Sequence, residues 1–193
     1  MERSGSIYEK RIVEGVSFEI QFLNFRDVYL EILSRRNDGH LRAFKDAKVL
    51  YSSDPSVPFM VEMATTLFRM GLPDLSSKNI VLIRKHLHHV LEDGDELLQA
   101  GKISSLLYND NLLFCELISN WFRLHNIFRA KREYTLKELG EKNPALGSLT
   151  TRYLKCWNPA EKHEILRELL FCVLEPFGGA LEQTWSLSGE PNK

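Results

Sequence analysis

Between Ser105 and Lys131 the chain reads SLLYNDNLLFCELISNWFRLHNIFRAK, without a proline. Leu106, Leu107, Leu113, Phe114, Leu117, Ile118, Trp121, Phe122, Leu124 and Phe128 recur at helical spacing and share one wide face. A helix of this length runs the width of a small domain. So broad an apolar face needs partners on more than one side. The spacing therefore predicts the central helix of a bundle over 105–131.

The surrounding sequence supplies those partners. Val57 to Met70 keeps a helical period and is stopped by Gly71-Leu72-Pro73. Ser76 or Ser77 caps a further helix carrying Ile80, Ile83, Leu87, Val90, Leu91, Leu97 and Leu98, which Gly101 separates from the central one. Thr135 to Glu138 spells a capping box for a short helix ending at Gly140. Asn143-Pro144 starts another, with Leu146, Leu149, Tyr153, Leu154 and Trp157. Asn158-Pro159-Ala160-Glu161 is a full start signal: cap, proline at the first helical position, glutamate at the third. Its helix presents Ile165, Leu166, Leu169, Leu170, Val173 and Leu174 and stops at Pro176. Gly178-Gly179 leads into a last amphipathic segment with Leu181 and Trp185, and a polar tail, expected to be disordered, follows over 187–193.

The N-terminal quarter differs. Tyr8 to Phe22 reads as two strands around Glu14-Gly15. Val16, Phe18, Ile20 and Phe22 alternate with Ser17, Glu19 and Gln21, which predicts one buried and one polar face. Asn24 caps a helix whose Val28, Tyr29, Ile32 and Leu33 face inward. After the turn at Asn37-Asp38-Gly39, Leu41 to Asp46 suits a short helix. Lys48-Val49-Leu50-Tyr51 reads as a short third strand, closed by Ser52-Ser53-Asp54-Pro55. So small a sheet cannot stand alone. The expected organisation is a sheet region over 1–54, a helical bundle over 55–186 and the tail.

A chain of 193 residues is long enough to bury a sizeable core, and its formal net charge of -1 lacks the basic excess of a general nucleic-acid binder. Cys115, Cys156 and Cys172 are odd in number, far apart and set among apolar helical residues. They read as buried thiols in a reducing cytoplasm, with neither a disulfide framework nor a zinc site. No apolar run approaches membrane-spanning length and MERSGSIYEKR has no signal-peptide core, so the expected location is cytoplasmic.

Three groups of residues could carry chemistry. Glu19, mid-strand between apolar neighbours, suits a hard-cation ligand or a general base, although spacing alone favours a carboxylate facing water. Neither an Asp-x-Asp pair upstream of it nor a glycine-rich phosphate loop supports it. Arg84, His88 and His89 lie four or five apart on one helix, as an acid–base ribonuclease site requires; the plainer interpretation is a solvated basic face. His86, His88 and His89 lack the i, i+4 pair of a helix-borne metal site. Arg123, Arg129, Lys131 and Arg132 give the central helix a basic end, which suits its macrodipole or, alternatively, nucleotide phosphates. Asp93, Asp95 and Glu96 look like exposed helix carboxylates.

The segment from Arg11 to Phe22, the helix after it and Asp46-Ala-Lys-Val-Leu-Tyr51 together resemble the latter half of a nucleotidyltransferase domain of the DNA polymerase beta-like superfamily. Aminoglycoside and lincosamide nucleotidyltransferases are similar. Arg129-Ala-Lys131 and Leu174-Glu-Pro-Phe-Gly-Gly179 also look like the bundle that follows such a domain. The resemblance implies that Glu19 is the third of three metal-binding carboxylates, that magnesium is the cofactor, and that Arg129 and Lys131 meet the nucleotide. The family's G-S-x-x-x-G turn and S-D-x-D motif would precede Glu19's strand, and Met1 to Tyr8 does not hold them. Two of the three carboxylates are therefore lacking.

The expectation is an α+β chain: a remnant antiparallel or mixed sheet with one helix, then a predominantly helical bundle. The function expected from the resemblance is that of a truncated or degenerate nucleotidyltransferase, weakly active or inactive alone. Its family reaction moves a nucleoside monophosphate from a nucleoside triphosphate to a hydroxyl of a small molecule. A homodimer is a further expectation. The alternatives are a non-catalytic helical binding or regulatory module and, less favoured, a HEPN-like RNA-cleaving helical domain using Arg84 with His88 or His89.

Overall fold

The computed structural model describes residues 7–35, 38–129 and 131–179. Two compact units divide between Pro73 and Asp74. The class is α+β, as the sequence leads one to expect: among the described residues there is one small antiparallel sheet, and the other regular elements are helical.

In the first unit, β1 (Ile7–Val13) and β2 (Val16–Phe22) form a two-stranded ribbon. Glu14 and Gly15 both have positive φ, 51° and 80°, the backbone of a two-residue hairpin whose twist matches its strands. The register sets Lys10 opposite Glu19, Arg11 opposite Phe18 and Glu9 opposite Ile20. After it come α1 (Phe25–Ser34), α2 (Asp38–Lys45) and α3 (Ser56–Met70). The Asn24 side chain accepts from the backbone N–H groups of Arg26 and Asp27, so α1 starts where the sequence places its cap. Val28, Ile32, Leu41, Met60 and Ala64 are buried, and α2 packs chiefly on α3. Arg35 leaves α1 in the left-handed region and donates to the Gly71 carbonyl at 3.0 Å, tying the ends of α1 and α3 together.

Three expectations for this part fail. Lys48–Tyr51 is not a strand; Leu50 and Tyr51 are 87% and 85% exposed. A strand needs a neighbour to complete its hydrogen bonds, and the ribbon ends at two strands. The apolar face of β2 is not buried: Val16, Phe18 and Phe22 are 56%, 48% and 52% exposed. The expected limit at Asp54–Pro55 also moves: the two units divide after Pro73, so α3 groups with the sheet region. Helix α3 joins the first unit because it buries Met60 and Ala64 where it packs with α1 and α2.

The second unit is the bundle: α4 (Ser77–Gln99), α5 (Ile103–Leu124), α6 (Thr135–Lys142), α7 (Pro144–Lys155) and α8 (Pro159–Leu174), with short 3-10 turns before α6 and after α8. Ser76, Asn143 and Asn158 each accept a hydrogen bond from the backbone N–H three residues on, as their positions predict. Helix α5 is central, packing on α4 and α8. Leu106, Leu113, Leu117, Trp121 and Phe122 on it are all buried.

This helix ends at Leu124, short of the expected Lys131. Asn126 takes a left-handed φ of 56°. Its N–H bonds the Arg123 carbonyl, and the Ile127 N–H bonds the Phe122 carbonyl at 2.9 Å, a Schellman end. Phe128 remains buried although it has left the helix. The cap of α6 falls at Tyr134, one residue before the expected Thr135. Thr135 is the first residue of α6, its hydroxyl donates to the Lys131 carbonyl, and the helix runs through Gly140 to Lys142. A Cβ on Gly147 would stand 2.6 Å from the Gly140 Cα, so α6 and α7 cross in backbone contact. Leu181, Trp185 and the tail at 187–193 lie outside the described residues.

Candidate functional site

Glu19 sits at the middle of β2, exposed, directly opposite the exposed Lys10. An ammonium across the ribbon competes with any metal cation for that carboxylate. Among the described residues no group of three or more His, Cys, Asp or Glu side chains could hold a metal ion. Arg129 and Lys131 belong to the other compact unit and lie beyond the end of α5, so only Arg123 of the expected basic end is on its last turn. Arg129 Nη1 donates to the Ser119 hydroxyl at 2.8 Å. Lys131 is exposed.

Arg84, half-buried, binds backbone carbonyls. Its Nε donates to the Gly179 carbonyl at 2.8 Å and its Nη2 to the Gly178 carbonyl at 2.7 Å. Those carbonyls follow α8, where Gly178 and Gly179 have φ of 95° and 70°, so Arg84 pins α4 to the segment that leaves α8. His88 Nε2 lies 3.4 Å from Glu92 and His89 is largely exposed. The ribonuclease arrangement would need the guanidinium facing a substrate phosphate, and here it is committed to backbone.

The cluster that sequence reasoning missed lies in the bundle core. His163 of α8 is fully buried. Its Nδ1 donates to Asp110 Oδ1 of α5 at 2.9 Å and its Nε2 to Asp95 Oδ1 of α4 at 3.1 Å. Arg167, one turn further along α8, donates to the same Asp95 oxygen. Burial alone would lower the His163 pKa, but the hydrogen bonds and charges of Asp110 and Asp95 outweigh it and raise the value. Both ring nitrogens face carboxylate oxygens, an arrangement that favours the imidazolium form. Gly94 makes room for it: a Cβ there would lie 2.5 Å from the His163 Cε1.

Asp95 is thus no solvated helix carboxylate, and Asp110, fully buried, occupies a core position between Leu106 and Leu113. Asp110 Oδ2 has no hydrogen-bond partner. Tyr153 stacks on Phe114 and donates to Asn111 Oδ1, and burial and Asp110 together push its pKa well up. His163 and Asp110 are sealed from solvent while Asp95 and Arg167 are about a third exposed, and the set fastens α4, α5 and α8 together. A signal did exist: Asp110 and His163 are polar residues at apolar-stripe positions, where a charge persists only if paired.

A surface cleft of about 1000 Å³ lies among α6, α7 and the start of α8. Leu136, Leu154, Ile165 and Trp157 supply apolar wall, and Lys137, Arg152 and Lys155 supply cations. Arg152 is engaged by Glu168 at 2.9 Å and Lys137 stands 3.9 Å from Glu141. Lys155 has no carboxylate partner among the described residues. Trp157, between the end of α7 and the Asn158 cap, is 94% exposed. Gly140 and Gly147, which meet at the α6–α7 crossing, also line the cleft. The cysteines are free thiols, and Cys115 is exposed, not buried.

No helix among the described residues is long and apolar enough to cross a membrane. No family model, curated protein or solved structure matches the chain.

Proposed function

We propose that the chain is a non-catalytic binding module, whose bundle holds a small anionic ligand with a flat ring, of the nucleotide class, in the α6–α8 cleft. The observation that carries this is Trp157, an indole almost wholly in solvent at the mouth of a formed cleft, with Lys155 beside it in sequence. Leaving so large an apolar surface in water is unfavourable unless something covers it. A ring can stack on the indole, and the ammonium suits a phosphate. The ligand class follows from the nucleotidyltransferase resemblance, the place from the cleft.

The second reading is the family reaction itself, magnesium-dependent transfer of a nucleoside monophosphate with Glu19 as metal ligand. The hairpin and α1, which form where that resemblance needs them, favour it. One exposed carboxylate facing Lys10 is a poor magnesium site, since the ion needs several oxygen ligands.

Calorimetric titration with ADP and AMP, with and without magnesium, separates the two. The binding reading expects a Kd of roughly 0.1–1 mM, independent of magnesium, lost in Trp157→Ala and kept in Glu19→Ala. Micromolar, magnesium-dependent binding that vanishes in Glu19→Ala would establish the transferase reading. Absence of binding by either nucleotide would remove both.

A further inference from the structure

We infer that the first unit associates with a second copy of the chain through one face of its hairpin, packed face to face across a twofold axis. The register defines that face. Residues opposite one another on antiparallel strands project to the same side. Val13, Val16, Phe18, Ile20 and Phe22 therefore share a face with Glu9 and Arg11. Val13, Val16, Phe18 and Phe22 are each about half exposed or more, and only Ile20 is half-buried. A two-stranded ribbon is marginal in water by itself, and contiguous apolar surface of this kind marks a contact site.

The charges on the ribbon select the occupant and the mode. On the apolar face, Glu9 and Arg11 form an ion pair at 2.6 Å, two residues apart on the same strand. A twofold axis requires a self-complementary surface. A face bearing one charge of each sign at adjacent positions meets that requirement, since Arg11 of each copy can reach Glu9 of the other. Exposed, the intrachain pair contributes little; enclosed between two faces, it becomes a register device.

Pairing through the open edges is disfavoured by the same register. The central residue of β1 is Lys10 and that of β2 is Glu19. A full-length antiparallel edge contact of either strand with itself sets Lys10 against Lys10, or Glu19 against Glu19, on the twofold axis. Like charges directly opposite destabilise a strand pair, and charged edges are how native sheets prevent it. Pairing β1 of one copy with β2 of the next would satisfy those charges, but such a head-to-tail contact does not close and would grow filaments.

Sedimentation of the whole chain over a concentration series tests this. The parent is expected to show a closed monomer–dimer equilibrium with a Kd of about 10–100 µM. Phe18→Lys should weaken it at least tenfold. Arg11→Glu should weaken it several-fold, and the double reversal Glu9→Arg, Arg11→Glu should restore it to within about twofold, because the exchanged pair is rebuilt. Unchanged helical circular dichroism in each variant shows that the bundle is folded. The proposal is overturned by a parent that stays monomeric at 1 mM, by dimers indifferent to Phe18→Lys, by no recovery in the double reversal, or by open-ended species in place of dimers.

Discussion

At the residue scale, His163 sets the strongest constraint in the bundle. An imidazolium with no solvent contact is tolerable only because α4 and α5 each bring a carboxylate to it and Arg167 supports one of them. Removing one member of such a buried set leaves the others uncompensated, so His163→Gln should cost about 3–5 kcal/mol near pH 6. The folded pKa lies above the unfolded value of 6.5. The stabilisation tied to its charge is therefore fully present below pH 6.5 and is lost as pH rises through the folded value. Urea midpoints of parent and His163→Gln measured from pH 5.5 to 9.5 should converge at the upper end. A parallel offset across that range would mean that the residue matters for packing and not for its charge. The set escaped the sequence because its members stand at positions 95, 110 and 163. Nothing local announces that three such distant residues meet, and Asp95 looks like any helix carboxylate until α8 is laid beside it.

At the element scale, what was legible is what is decided locally. Asn24, Ser76, Asn143 and Asn158 cap the helices they precede because a cap needs only the next three residues. The hairpin over Glu14-Gly15 is local for the same reason. Lys48–Tyr51 has a strand's composition, but a strand is completed by its neighbour, and among the described residues no strand pairs with it. The end of α5 was misplaced by an apolar period that continues through Phe128 after Asn126 has turned the backbone left-handed. Phe128 is buried by tertiary contact and not by helical phase. The middle of α5 remains the structural centre. Trp121 is 3% exposed, packs edge-on against Phe122 and lies 4.5 Å from the His125 ring. Trp121→Ala should cost roughly 3–5 kcal/mol through the cavity it opens. Denaturant midpoints of parent and variant that coincide would remove α5 from the centre of the bundle.

At the scale of the whole molecule, the two units differ in how much each can bury. The first closes over Val28, Ile32, Leu41, Met60 and Ala64. The second closes over a continuous cluster running from Leu87 to Leu174, reinforced by the charged set around His163. Small cores are marginal, and a chain opens first where little apolar area resists it. Amide exchange should therefore separate them. The amides of α5 and α8 should exchange only through the largest opening the molecule undergoes, at a free energy close to its global stability. Those of α1 to α3 should exchange through a smaller opening, about 2 kcal/mol or more lower. The substitution Ile32→Ala removes a fully buried side chain of the first unit. It should speed exchange in α1 to α3 while leaving α5 and α8 at the parent rate, because mutations act separately where no partners are shared. Equal protection in all helices, or acceleration of α5 by Ile32→Ala, would show that the two cores open as one cooperative body, and the division between Pro73 and Asp74 would then have no energetic meaning.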